Sequence, residues 1–132
     1  MSEQVYRCPK CKANMVERKY AQLTRYYQCD SCRGLMLPRE GLEALRQQWL
    51  SEVVVDTGDV RVGRVHNRIP GVECPSCECA MERIADSEQA HVHLDFCAPC
   101  DLVYLDAGEL TDLKQLTLSD YILDFFAGFD KN

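Results

Sequence analysis

Four C-x2-C pairs, arranged as two copies of one longer pattern, restrict this chain more than any other feature. One copy opens with CPKC at Cys8 and closes with Cys29 and Cys32; the other opens with CPSC at Cys74 and closes with Cys97 and Cys100. The opening and closing pairs are separated by 17 residues in the first copy and 19 in the second. Each closing pair runs into an apolar triplet, Leu35-Met36-Leu37 or Val103-Tyr104-Leu105, and then into a helical pattern reaching Leu45 or Leu113. Such end-to-end self-similarity marks a duplication and predicts two copies of one small unit.

The chemistry follows from the spacing. Each x2 turn directs two sulfurs at one ion, and a hairpin between the pairs brings the second two opposite, which closes a tetrahedron of thiolates. Cys8, Cys11, Cys29 and Cys32 are assigned to one zinc ion, and Cys74, Cys77, Cys97 and Cys100 to another. Four thiolates also suit a single iron, so the metal identity stays open between Zn²⁺ and iron at this point. A site filled by four cysteines has no free position for water or substrate and is structural. In small zinc modules the metal contributes roughly 10–16 kcal/mol to folding, more than the core of a short unit supplies. The ninth cysteine, Cys79, lies two residues past Cys77 and reads as a small residue packed near the knuckle rather than a reactive thiol. His66, His91 and His93 lack the companions for a third metal site and read as packing or surface residues.

The expected fold class is small α+β, two tandem zinc ribbons, each a three-stranded hairpin unit with a C-terminal helix. ANMVERKY with LTRYYQC, and AMERIA with AHVHLDF, are β-prone runs of strand length separated by polar turns. The apolar triplets supply a third strand. Leu42, Leu45 and Trp49, and Leu110, Leu113 and Leu116, then mark one apolar face per helix. Asp106 and Glu109 form a D-x-x-E capping box for the second helix, whereas Pro38 leaves the first without that cap. The predicted organisation is a first module at 1–50, a linker or β-hairpin at 51–72, a second module at 73–118 and an amphipathic helix at 119–132. The hairpin is the preferred reading of the middle segment, because valines flank Asp56-Thr57-Gly58-Asp59.

Charge narrows the function. The formal charge is −6, but residues 1–50 hold nine Lys/Arg against five Asp/Glu (+4), and residues 51–132 hold six against sixteen (−10). Each zinc bound by four thiolates forms a −2 unit, so two of them take the chain from −6 to −10. A phosphate-neutralising surface is implausible for the second half and marginal for the first. There is no basic stretch followed by an apolar signal segment and no apolar run long enough to span a bilayer, which predicts a cytoplasmic protein. In that reducing compartment paired cysteines point to metal before disulfide. No G-x-S-x-G, P-loop or H-E-x-x-H occurs, so no catalytic residue is assigned and no enzymatic activity is expected.

The run C-x2-C, apolar triplet, LDAGEL resembles the transcription factor IIB-type zinc finger (zf-TFIIB) family. That family pattern is a C-P-x-C opening, a hairpin, C-x2-C-x-G, then Trp-Leu-Asp and Gly-Glu-Leu. The second copy carries Leu105, Asp106, Gly108, Glu109 and Leu110, with Leu102 for the glycine and Tyr104 for the tryptophan. The first keeps Gly34 and Leu37, with Met36 for the tryptophan and Pro38 for the aspartate. The resemblance implies two tandem ribbons, two zinc ions and a binding-platform role.

Three functions are compatible with these features. The leading one is a zinc-stabilised protein-interaction or regulatory protein that docks a partner, or a second copy of itself, through Tyr121, Ile122, Phe125 and Phe126. The second is single-stranded nucleic-acid binding by the first module, where Arg7, Lys10, Lys12, Arg18, Lys19 and Arg25 surround Tyr20, Tyr26 and Tyr27. The third is a redox or zinc sensor, encouraged by Cys79.

Overall fold

The computed structural model describes residues 6–21, 24–48, 51–66, 68–69, 72–85 and 93–114. Each copy contributes three strands: β1 (Met15–Tyr20), β2 (Thr24–Cys29) and β3 (Leu35–Pro38) from the first, and β4 (Glu82–Ala85), β5 (His93–Cys97) and β6 (Leu102–Leu105) from the second. Helix α1 (Arg39–Gln47) follows β3, α2 (Ser51–Val55) and α3 (Val60–His66) lie between the copies, and α4 (Glu109–Lys114) follows β6. The protein is thus α+β, with two four-cysteine centres. Trp49, His91, Leu116 and the predicted helix at 119–132 lie outside the described residues.

The two ribbons do not stand apart. All six strands form one antiparallel sheet in the order β1-β2-β3-β6-β5-β4. Its central pairing is Leu35↔Leu105, Met36↔Tyr104, Leu37↔Val103 and Pro38↔Leu102. Met36 and Tyr104 occupy the same place in their copies, each four residues past the last cysteine. Because equivalent residues pair with each other, a local pseudo-twofold axis passes between them. The physical cause lies in the triplets: in a free-standing ribbon β3 or β6 would be an apolar edge strand with unpaired backbone groups. Pairing one with the other buries both, leaving the charged strands β1 and β4 as edges.

Alternation along the central strands separates two cores. Leu35, Leu37, Val103 and Leu105 face the helices, where Leu42, Leu45, Leu110, Leu113 and Val55 close over them. Met36, Leu102 and Tyr104 face the other way, into a cluster with the cysteines. The duplication persists at the level of single hydrogen bonds. Cys8 N donates to Ala13 O at 2.8 Å and Cys74 N to Cys79 O at 2.8 Å; Met15 N donates to Tyr6 O at 2.9 Å and Met81 N to Val72 O at 2.8 Å.

The middle segment departs from the predicted linker or β-hairpin at 51–72. Strand propensity of the valines is overridden by capping and close packing. Asp59 caps α3, its carboxylate accepting from Arg61 N at 2.9 Å. Gly63 crosses the backbone of Ala107 so closely that a Cβ would stand 2.0 Å from the Ala107 carbonyl oxygen. Gly58 lies between Arg33 and Ala107, with 2.6 and 2.7 Å to their Cβ atoms from the position of a Cβ. The residues that suggested a turn are therefore caps and contact points.

The predicted capping box is also corrected. Asp56, from the middle segment, caps α4: its carboxylate accepts from Gly108 N at 2.9 Å, Thr111 N at 3.0 Å and Thr111 Oγ1 at 2.9 Å. Asp106 turns instead to Lys10, and the Glu109 carboxylate accepts from His93 N at 3.2 Å. Helix α1 begins at Pro38 with no side-chain cap, as expected. Its first free N–H, of Arg39, donates to Asp101 O of the second copy at 3.0 Å, and the Arg39 guanidinium pairs with the Asp101 carboxylate at 2.8 Å.

Candidate metal centres

Each centre is built from two knuckles of the same kind. A C-x2-C pair curls so that backbone N–H groups point at its first sulfur: Ser31 N and Cys32 N each lie 3.4 Å from Cys29 Sγ, and Ser76 N lies 3.4 Å from Cys74 Sγ. The residue after each pair takes a left-handed conformation, with φ of 68° at Lys12, 64° at Arg33, 65° at Glu78 and 56° at Asp101. That conformation costs about 1–2 kcal/mol for an L-residue. Its presence at all four knuckles fits a turn fixed by a bound metal.

The structure brings together the eight cysteines assigned from sequence, in the two predicted groups, with the sulfurs of each group within 4.8 Å of one another. Cys8 and Cys32 sulfurs are 3.7 Å apart, Cys11 and Cys29 are 3.2 Å apart, and Cys77 and Cys97 are 3.4 Å apart. A tetrahedral zinc with bonds near 2.3 Å sets its sulfurs about 3.8 Å apart. The groups therefore fit two Zn²⁺ ions, and all nine cysteines are free thiols rather than disulfides.

Electrostatics makes the same case. Without a cation, four sulfurs this close cannot all be charged, so one carries the charge while its neighbours keep their protons. Donation from Cys32, helped by backbone N–H groups, holds Cys8 down to about 4, and Cys32 is driven far up in return. In the second group the backbone N–H of Cys79, followed by Cys97, lowers Cys77 to about 6, while burial raises Cys97 and Cys100. A divalent cation removes this frustration by taking all four thiolates. Zinc supplies a cross-link at each centre; the chain supplies closed coordination, N–H donors and a buried setting.

Two further features were not recognised in the sequence. Tyr104 of the second copy reaches over Gly34 to the first centre, its hydroxyl 3.2 Å from Cys8 Sγ and 3.5 Å from Cys32 Sγ. Burial foremost, then the nearby Cys8 and Cys32, push this phenol far above its usual range, so it stays protonated and donates. A Cβ on Gly34 would lie 2.0 Å from the Tyr104 oxygen, which explains why glycine stands there. Lys10, in the first knuckle, extends into the second copy, with its ammonium 2.5 Å from Asp106 Oδ2, 3.4 Å from Asp95 Oδ2 and 5.5 Å from the Tyr104 ring centre. The available signals were the lone aromatic in the second apolar triplet, Tyr104, and the D-x-x-E pattern, which read more simply as a cap.

The other candidates are dispersed. Tyr26 is buried, Arg25 pairs with Glu17 at 2.8 Å, and Tyr27 packs edge-on against Tyr6 at 4.9 Å. Arg18 and Lys19 are exposed on β1. His93 is buried, and Cys79 occupies the position equivalent to Ala13 with its side chain exposed. A groove of about 350 Å³ separates the two opening knuckles, lined from both sides by Cys8, Pro9, Cys74 and Pro75.

Residues 7–48 match the family model described as transcription factor zinc-finger, a zinc ribbon. The match spans the first copy; the second four-cysteine centre is given by the structure. No curated protein and no solved structure matches the chain. The chain contains a zinc-binding zinc-ribbon domain, and among the described residues no helix is long and apolar enough to cross a membrane.

Proposed function

We propose that this protein is a non-enzymatic, zinc-clamped interaction module, acting in the cytoplasm, whose docking surface is the helical segment between the copies. One observation carries the reading: Val53, Val54, Val60, Val62, Val65 and Ile69 are exposed along α2, α3 and the residues after them, with Val53 at 67% and Val65 at 61%. Soluble domains seldom leave so many large apolar side chains of one segment uncovered without a partner. Closed metal centres support it further, since four-thiolate zinc offers no position for substrate. Tyr121, Ile122, Phe125 and Phe126, outside the described residues, are proposed as a further contact for a protein partner or a second copy, and the second copy is proposed as a tandem ribbon of the same family.

The test is affinity capture from cell extract with the full chain, with and without nuclease, beside the double variant Val53→Glu, Val65→Glu. Nuclease-resistant capture of one protein species, lost in the variant while zinc content stays at two ions, is expected. Capture abolished by nuclease but unaffected by the variant would replace this reading with nucleic-acid binding. Light scattering of the chain truncated before Ser119 tests self-association through the C-terminal residues: a soluble, folded product in an unchanged oligomeric state removes the homodimer version that uses Tyr121, Ile122, Phe125 and Phe126.

A further inference from the structure

We propose that the two zinc centres are unequal: Tyr104 donates its phenolic hydrogen to the thiolates of the first centre, leaving the second centre as the one that reacts with electrophiles and releases metal first. The pseudo-twofold places Met36 where the second centre would need the same donor, and a thioether has no hydrogen to give. The donor to the first centre is fully buried, at 0% exposure, and fixed by the absence of a Cβ at Gly34. Among the described residues, the side-chain donors to the second centre from outside its four ligands are Ser76, toward Cys100, and the weak thiol donor Cys79, toward Cys77, both in exposed positions of its own opening knuckle. Cys32 is buried, whereas its counterpart Cys100 is half-buried, and a spare sulfur, Cys79, lies within hydrogen-bonding reach of Cys77.

A zinc-bound thiolate reacts through a sulfur lone pair, and a hydrogen bond to that pair lowers its nucleophilicity. With an alkyl iodide the pair forms a C–S bond, the C–I bond breaks, and iodide leaves with its electrons. The resulting thioether is neutral and holds zinc weakly, so the ion departs. Outer-shell donors of this kind change metal retention by about 10- to 100-fold, and that is the difference expected between the centres.

The experiment uses the full chain loaded with two zinc ions, treated with iodoacetamide in the presence of a chromophoric chelator and quenched when half the zinc has appeared. Peptide mass spectrometry is expected to find alkylation on Cys74, Cys77, Cys97 or Cys100, with Cys8 and Cys32 protected. Cys79→Ser should preserve that order, because the donor rather than the spare thiol sets it. Tyr104→Phe should accelerate release from the first centre by about tenfold or more. With Co²⁺ in place of zinc, it should move the sulfur-to-metal charge-transfer bands of one centre to lower energy. Early alkylation of Cys8 and Cys32 in the parent chain overturns the proposal without any variant. So does a Tyr104→Phe protein with unchanged order and unchanged Co²⁺ spectrum.

Discussion

Replacing Lys10 by methionine keeps most of the side-chain volume but removes the charge that joins the first knuckle to the second copy. In the parent, the ammonium is 0% exposed and its two carboxylate partners, Asp95 and Asp106, are 3% and 2% exposed. At separations of 3.4 and 2.5 Å, each contact is worth on the order of 5 kcal/mol at an effective dielectric near 20. Desolvation of three charges offsets much of that, so the net worth of the cluster is small. Truncating one partner is another matter, because two carboxylates are left facing each other. Arg83, 3.6 Å from Asp95, offsets one of them in part. Asp106 keeps only the weaker influence of His66 among the described residues, and its Oδ1 already lacks a hydrogen-bond partner. The expected loss is about 3–5 kcal/mol, read from urea unfolding in zinc-saturated buffer with zinc content measured in parallel.

The pH dependence sharpens this expectation. Burial raises Asp106 above its usual carboxylate range, with Lys10 pulling it partly back, so the variant should raise it further. A carboxyl whose folded value lies above its unfolded value favours folding at low pH, and that contribution is lost as pH rises through the folded value. The gap between Lys10→Met and the parent should therefore be largest at neutral pH and shrink on acidification. Adding Asp106→Asn to Lys10→Met should restore part of the loss and flatten its pH dependence. A Lys10→Met protein with two zinc ions and stability within about 1 kcal/mol of the parent would refute the claim that this cluster is a buried, desolvated joint.

Asp56→Ala removes the cap of α4 from a distant segment and should cost about 1–2 kcal/mol in thermal or urea unfolding, with zinc content unchanged. Asp106→Asn alone should cost less than Lys10→Met, because the ammonium keeps Asp95 as its counter-ion; a denaturation series on both variants orders them. Gly34→Ala forces the Tyr104 ring aside and should lose about 1–3 kcal/mol, with a change in Tyr absorbance. Stripping the metal with a strong chelator should unfold both knuckles, since roughly 10–16 kcal/mol of apparent binding energy per structural zinc leaves with it. Circular dichroism and the release of two zinc equivalents check this together.

The metal centres were legible because a C-x2-C pair is a local object: its turn geometry is set within a few residues, and two copies fix the partner pairs. The hairpins and the helices after the triplets follow equally from local periodicity. The middle segment was misread because its valines satisfy a strand pattern while its structure is decided by atoms far away in sequence. Gly63 rests on Ala107, Gly58 lies between Arg33 and Ala107, and Asp56 caps a helix that begins at Glu109. Asp106 was read as a cap because a short polar side chain before a helix usually is one. Lys10, 96 residues earlier, makes the stronger claim on it.

What the sequence determined by itself is the duplication, the two zinc centres, and the strands and helices around them, since all of these rest on spacing and short-range chemistry. Only the tertiary structure decided that the copies share one sheet. Two apolar triplets could each have closed a separate ribbon against its own helix, but pairing them satisfies both sets of edge groups at once. That pairing carries Tyr104 to the other copy's sulfurs and Lys10 to the other copy's carboxylates. No local pattern contains those contacts, because they exist only after β3 has met β6.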